Sequence, residues 1–174
     1  PSSQRARAVL AFAHLVEGET ASGLAEAEAA HALSPESFVY AENIGWLLWL
    51  LGDWERGTVL IRKAIARNPH YMALADFAIC ADHLRRGEFG DAYQTALRWR
   101  DPAFFWRSLM RACCLGHLGR PEDARGPIAD ILRTKPDFRS RGHTLIGRIL
   151  KHSEVQARVA DGLAKAGLVL DEQD

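Results

Sequence analysis

Cysteine is scarce: Cys80, Cys113 and Cys114 are the only three in 174 residues. An odd number without staple-like spacing excludes a disulfide-built scaffold. Adjacent Cys113 and Cys114 are badly placed to ligate one metal, and no CxxC occurs, so buried reduced thiols are expected. No apolar run approaches the ~20 residues that a membrane helix needs. The longest, Ile44 to Leu51, makes about two helical turns. The formal net charge is zero, which argues against a generally nucleic-acid-binding chain. No secretory leader opens the sequence. A cytoplasmic setting is expected, and a first residue Pro1 in place of Met suggests a piece of a longer protein.

Catalytic signatures are missing as well. There is no GxxxxGK phosphate loop, no GxSxG elbow and no HExxH pair. The seven histidines are scattered, and Glu26 and Glu28, two apart, fall on different faces of a helix. The expectation is a chain that is not an enzyme, with no cofactor and no metal.

The sequence does hold a repeat, which is sought before local structure. Gly18, Gly52, Gly87 and Gly119 are spaced by 34, 35 and 32 residues. Five residues after each glycine sits a small residue: Gly23, Gly57, Ala92 and Ala124. Nine after come Ala27, Ile61, Ala96 and Ile128; twelve after come Ala30, Ala64, Trp99 and Ile131. Seventeen after come Pro35, Pro69, Phe104 and Pro136, with the third cycle breaking early at Asp101-Pro102. Glycine ends a helix without strain. Asp53 is placed to cap the next helix and Pro121 suits a first helical turn. The small and apolar positions make one stripe of the second helix. Proline then stops it. No segment alternates as a strand does. The fold class is all-α: an α-α superhelix of about four helix pairs.

These residues resemble the tetratricopeptide repeat (TPR) family. The match is clearest over 38–69, where Gly45 occupies the tight packing position, flanked by Ile44, Leu48 and Leu51, with Gly52, Trp54, Gly57, Ile61, Ala64 and Pro69 following. Arg7, Asp76, Ser108 and Arg111 depart from the apolar residues the family prefers. The resemblance implies four TPR-like repeats over 1–136, at about 4–36, 37–70, 71–102 and 103–136. Helical stretches near Arg141–Lys151 and Glu154–Ala166 would cap the last repeat over 137–168, leaving a disordered tail at 169–174. GRPEDARGPIADILRTKPDF (119–138) and DGLAKAGL (161–168) resemble more narrowly the TPR region C-terminal to bacterial class III adenylyl/guanylyl cyclases and related winged-helix regulators. That likeness implies the accessory region of a larger signalling protein.

In such arrays the first helix of each pair faces partners. The candidate partner-binding residues are Glu42, Asn43, Trp46, Trp49 and Phe77; Val39 shares the outward face of the second repeat's first helix, and Phe77 and Cys113 fall near the equivalent faces of later repeats. Trp46 and Trp49 are three apart and share a face, offering flat apolar area or, alternatively, packing against neighbouring helices. Trp54 is expected in the core. Asn43 matches one position of the family's carboxylate clamp. Glu42, Phe77, Ala78, Ala81, Leu109 and Cys113 stand where the others would be basic or amide, so no such clamp is expected. The partner is thus a peptide, a protein, or another domain of the same parent, bound in an apolar and aromatic groove. Homodimerisation is the alternative.

Charge is uneven along the chain. Residues 98–150 carry 11 basic against 5 acidic residues, and 18 of the 22 basic residues overall are Arg. Arg107, Arg111 and Arg120 are the candidate basic patch for an acidic partner or phosphate. The other reading is a solvated face paired to Glu122, Asp123, Asp130 and Asp137. Nucleic acid is the less favoured partner.

Overall fold

The computed structural model describes residues 2–35, 37–68, 70–71, 73–99 and 105–171. Among the described residues there are ten α-helices and no strand. They are α1 (Gln4–Glu17), α2 (Thr20–Leu33), α3 (Phe38–Leu50), α4 (Trp54–Arg67), α5 (Ala73–Arg86), α6 (Phe89–Arg98), α7 (Phe105–His117), α8 (Pro121–Thr134), α9 (Phe138–Ile149) and α10 (Ser153–Lys165). Pro69, Phe104 and the Asp101-Pro102 break lie outside the described residues.

The repeating glycines make the turns. Gly18, Gly52, Gly87 and Gly119 adopt φ of 84°, 102°, 80° and 69°, the left-handed region that glycine enters without steric cost. The next N–H then bonds back over the helix end in every case: Glu19 to His14 O, Asp53 to Leu48 O, Glu88 to His83 O and Arg120 to Leu115 O, each at 2.9 Å. This is the Schellman closure, which satisfies carbonyls the helix leaves open. Asp53 Oδ1 accepts the Arg56 N–H at 3.2 Å as an N-cap, and Pro121 opens α8.

The chain forms two compact units, Pro1–Ala78 and Ile79–Asp174, dividing inside α5. In the first unit α1 packs on α2 and α3 on α4, with α3 also against α1 and α2. Ala27, Ala30, Ile61 and Ala64 of the small-residue stripe are all buried. The α3–α4 contact is backbone on backbone. A Cβ added to Gly57 would stand 2.6 Å from Gly45 O and 2.7 Å from Trp49 N.

In the second unit α7 is central, packing on α6, α8 and α10. Phe138 of α9 meets the Phe105 ring edge-on at 5.3 Å. Val155, Val159 and Leu163 of α10 are buried. The expected disordered tail needs correction over its first residues. The Asp171 N–H bonds Arg139 O at 3.0 Å, and Arg139 Nη1 donates to Val169 O at 3.1 Å. Leu168 is buried and Leu170 covers Gly142. Apolar side chains on alternate residues and backbone bonds to the first turn of α9 hold this segment; the last three residues lie outside the described part.

Replacing Gly57 with Ala drives a methyl into the α3 backbone. The expected loss is about 1–3 kcal/mol, the cost of overpacking a core. Urea unfolding of the two chains measures it, and an unchanged midpoint contradicts the close α3–α4 contact.

Candidate interaction surface

The first unit carries an open apolar groove of about 390 Å³. Ala8, Val9 and Phe12 of α1 line one side, Tyr40, Asn43, Trp46 and Leu47 of α3 the other, and Arg5 and Leu74 line it as well. The spacing explains the first side. Val9, Phe12 and Val16 are three and four apart, so they stand on one face of α1. Their exposures are 64 %, 39 % and 51 %, large values for apolar side chains at helical spacing. Phe12 stacks on Trp46 with ring centroids 5.7 Å apart and planes 25° apart. The rings stiffen one another, and the Phe12 side stays in contact with solvent.

The predicted contact residues divide here. Asn43 and Trp46 line the groove. Trp46 is 8 % exposed, with its indole N–H buried and unpaired. Trp49 and Phe77 are each 1 % exposed, and Glu42 is buried. The exposed-Trp49 expectation is therefore corrected: its backbone and Cβ press on Gly57, and the ring belongs to the core. Every residue from Ile44 to Leu51 is buried, which leaves Trp49 no wet side. Trp54 is half-buried at the start of α4. Val39's side chain lies outside what is described. Phe12, Val9 and Val16 were overlooked at the level of sequence. Their spacing was visible, but it reads equally as the buried face of an amphipathic helix.

The three arginines do not converge. Arg107 and Arg111 are half-buried on α7. Arg120 follows its C-terminus, across a 13-residue helix, roughly 20 Å long at 1.5 Å per residue. Arg120 pairs with Asp123 at 2.6 Å and lies over the Tyr93 ring at 5.6 Å. Arg125, Arg133 and Arg141 pair with Glu122, Asp130 and Asp137 at 2.5, 3.1 and 2.9 Å. The Arg141 hydrogen bond holds the Asp137 carboxyl below the usual range. This is a surface of local ion pairs along single helices.

Among the described residues two groups carry metal-ligating atoms within 4.8 Å of each other: His14, Glu17 and Glu19, and His83, Glu88 and Asp91. They come from a motif that the sequence reading missed, His-Leu-x-x-Gly-Glu at 14–19 and 83–88. In both, His Nδ1 already meets the Glu carboxylate, at 2.5 and 2.6 Å. The pair staples the helix end to its turn, on a solvent-facing surface.

The corresponding face of α7 is closed. Cys113 stands six residues before Gly119, as Trp46 does before Gly52 and Phe12 before Gly18. At Cys113 the face is covered by α10. His117 Nε2 donates to Arg158 O at 2.9 Å, and Phe89 stacks on the imidazole at 4.1 Å. Burial pushes the His117 pKa down, against the opposing pull of that carbonyl; Lys165 and Arg158 lower it further and Asp161, 3.7 Å from Nδ1, raises it. Burial also pushes the Cys113 thiol well up, so it is held protonated.

No protein-family pattern and no curated protein matches the sequence. Solved structures are similar in fold. A point mutant of MamA aligns over 94 % of this chain and 95 % of its own, with a TM-score of 0.61 and 16 % identity. MamA labelled MSR-1 gives 0.60 at 17 % identity, over 94 % of both chains. MamA labelled AMB-1 gives 0.60 at 16 %, over 94 % of this chain and 90 % of that one. At such identity the likeness concerns the fold, which is an all-α, TPR-like helical repeat of the α-α superhelix class.

Two predictions follow from these placements. Trp49→Ala empties core space and costs about 3–5 kcal/mol, whereas Phe12→Ser, at a partly exposed ring, costs much less; urea unfolding that ranks them the other way contradicts the assignment of core and groove. For His117, a folded-state pKa below the ordinary value of about 6.5 means that its neutral form is the one the fold accommodates. Its stabilising contribution is complete above that ordinary value and is lost as pH falls through the folded-state pKa. The melting temperature is expected to drop between pH 7 and pH 5 more in the natural chain than in His117→Gln. Equal drops contradict the buried neutral imidazole.

Proposed function

We propose that the chain is a non-catalytic interaction module that binds a partner protein through the α1–α3 groove of its first unit. The observation that carries this is the exposed Val9–Phe12–Val16 stripe beside the Phe12–Trp46 stack. Contiguous exposed apolar area of this kind marks interaction surfaces. A groove between two helices, walled by aromatic rings, suits the apolar face of an amphipathic helix. Asn43 and Arg5, which line it, offer polar contacts that would fix the direction of a bound helix. Among the described residues no helix is long and apolar enough to cross a membrane. The cyclase-like reading extends this proposal. On that reading the partner is a domain of the same parent, and the groove controls the catalytic or DNA-binding part.

The test is a selection of random 16-residue amphipathic helices against the full chain. Binders are expected to weaken about 30-fold on Phe12→Ser, the loss of an anchor worth ~2 kcal/mol. Binders that hold the Phe12→Ser and Val9→Ser chains as tightly as the natural one contradict the groove.

A further inference from the structure

The face of α7 that α10 covers is built to read a helix, and α10 shows how. Its contacts fall on one register. Arg158, Gly162 and Ala166 follow each other at intervals of four, one above the other on one face of the helix. Arg158 and Gly162 meet different features, and Ala166 is buried in a cluster with Leu115 and Ala124. Arg158 Nη1 donates to Arg85 O at 2.9 Å and to Leu84 O at 3.4 Å. These carbonyls belong to the last turn of α5, the end of a helix that carries partial negative charge, and Leu84 O also takes the Gly87 N–H at 3.0 Å. Gly162 lies on Cys113 and His117, where a Cβ would stand 2.6 Å from both Cys113 Sγ and His117 Cδ2. Gly116 completes the contact from the other side. A Cβ there would stand 1.9 Å from Gly162 O and 2.7 Å from Ala166 N. Finally His117 Nε2 takes the Arg158 carbonyl itself, a bond to backbone that any side chain would permit.

We propose that the α5–α7 face is a helix-binding groove whose resident occupant is α10, and that the ligand it selects is a helix with Arg, Gly and Ala at i, i+4 and i+8. Three observations support an occupant rather than a fixed core element. The contacts of Arg158 and Gly162 are with α5 and α7, distant in sequence, while α9, against which α10 also packs, is joined to it through the non-helical Leu150–His152 segment. The outer face of α10 is wet, with Glu154, Ala157, Asp161, Ala164 and Lys165 exposed. The groove also sits at the repeat position that is open in the first unit, where Phe12 and Trp46 replace Cys113. Because those rings are bulky and Cys113 and Gly116 are small, the two faces take different ligands. The tether makes α10 its own competitor at an effective concentration on the order of millimolar. A ligand in trans enters only by exceeding it or once the tether is cut.

The experiment uses the full chain with a protease recognition sequence inserted after Lys151. After cutting, the probe is a fluorescent peptide of residues 151–171. One peptide is expected to exchange onto each cut chain while helix content is retained, and the uncut chain should take up far less. The Arg158→Ala peptide should bind at least about tenfold more weakly, as for loss of a charged hydrogen bond, and the Gly162→Val peptide should not enter. A Phe12→Ser chain should take up peptide as the natural one does, which separates this site from the groove of the first unit. The proposal is overturned if the cut chain melts when its fragment leaves. It is equally overturned if the fragment never exchanges, or if the Gly162→Val peptide enters as well as the natural one. Loss of uptake on Phe12→Ser overturns it too, by moving the peptide to the other face.

Discussion

Backbone has to touch backbone for these helices to pack as they do. At Gly57 and Gly45, and again at Gly116 and Gly162, there is no room for a single methyl group. Close approach of that kind brings whole rows of side chains within reach of each other, so dispersion and exclusion of water act along the full contact. It also consumes the small-residue face of each helix. What remains on the other faces then decides what the protein can bind.

The two units answer that constraint differently. In the second, the remaining face of α7 is itself small, with Cys113 and Gly116, and a further helix lies down on it. Arg158 fixes that helix in register against the end of α5. In the first, the same repeat position carries Phe12 and Trp46. The rings stack on each other and leave Val9, Phe12 and Val16 partly in water. At this repeat position the face is open in the first unit and closed in the second. They differ in side-chain size at two recurring positions, where Cys113 and Gly116 stand in place of Trp46 and Trp49, and in the helix that lies on α7.

Much of the helix plan was legible in the residues. Glycine at a helix end, a small residue five later and an apolar pair beyond it each have one dominant physical explanation, and the Schellman bonds at all four turns repeat it. Asp53 and Pro121 likewise act through local rules. The groove was only half legible. Trp46 and Asn43 could be placed on the correct helix, but i, i+3 spacing cannot say which of two tryptophans keeps a wet side. That depends on α4 pressing Gly57 under Trp49. Phe12 was unreadable for the complementary reason: an apolar stripe looks the same whether or not something covers it. The α10 contact was the least visible, because it joins residues 113–117 to residues 158–166 through backbone atoms. Nothing in the composition of Arg158 or Gly162 announces a partner so far away in the chain.

The central claim is that one apolar face of this repeat is open and the other is filled by the chain's own helix. Hydroxyl-radical footprinting of the intact chain tests it most directly. Phe12, Val9 and Val16 are predicted to oxidise at rates approaching those of the unfolded chain, with Trp49, Cys113 and Leu163 protected together. Protection of Phe12, or oxidation of Trp49 and Cys113 as fast as Phe12, would contradict it.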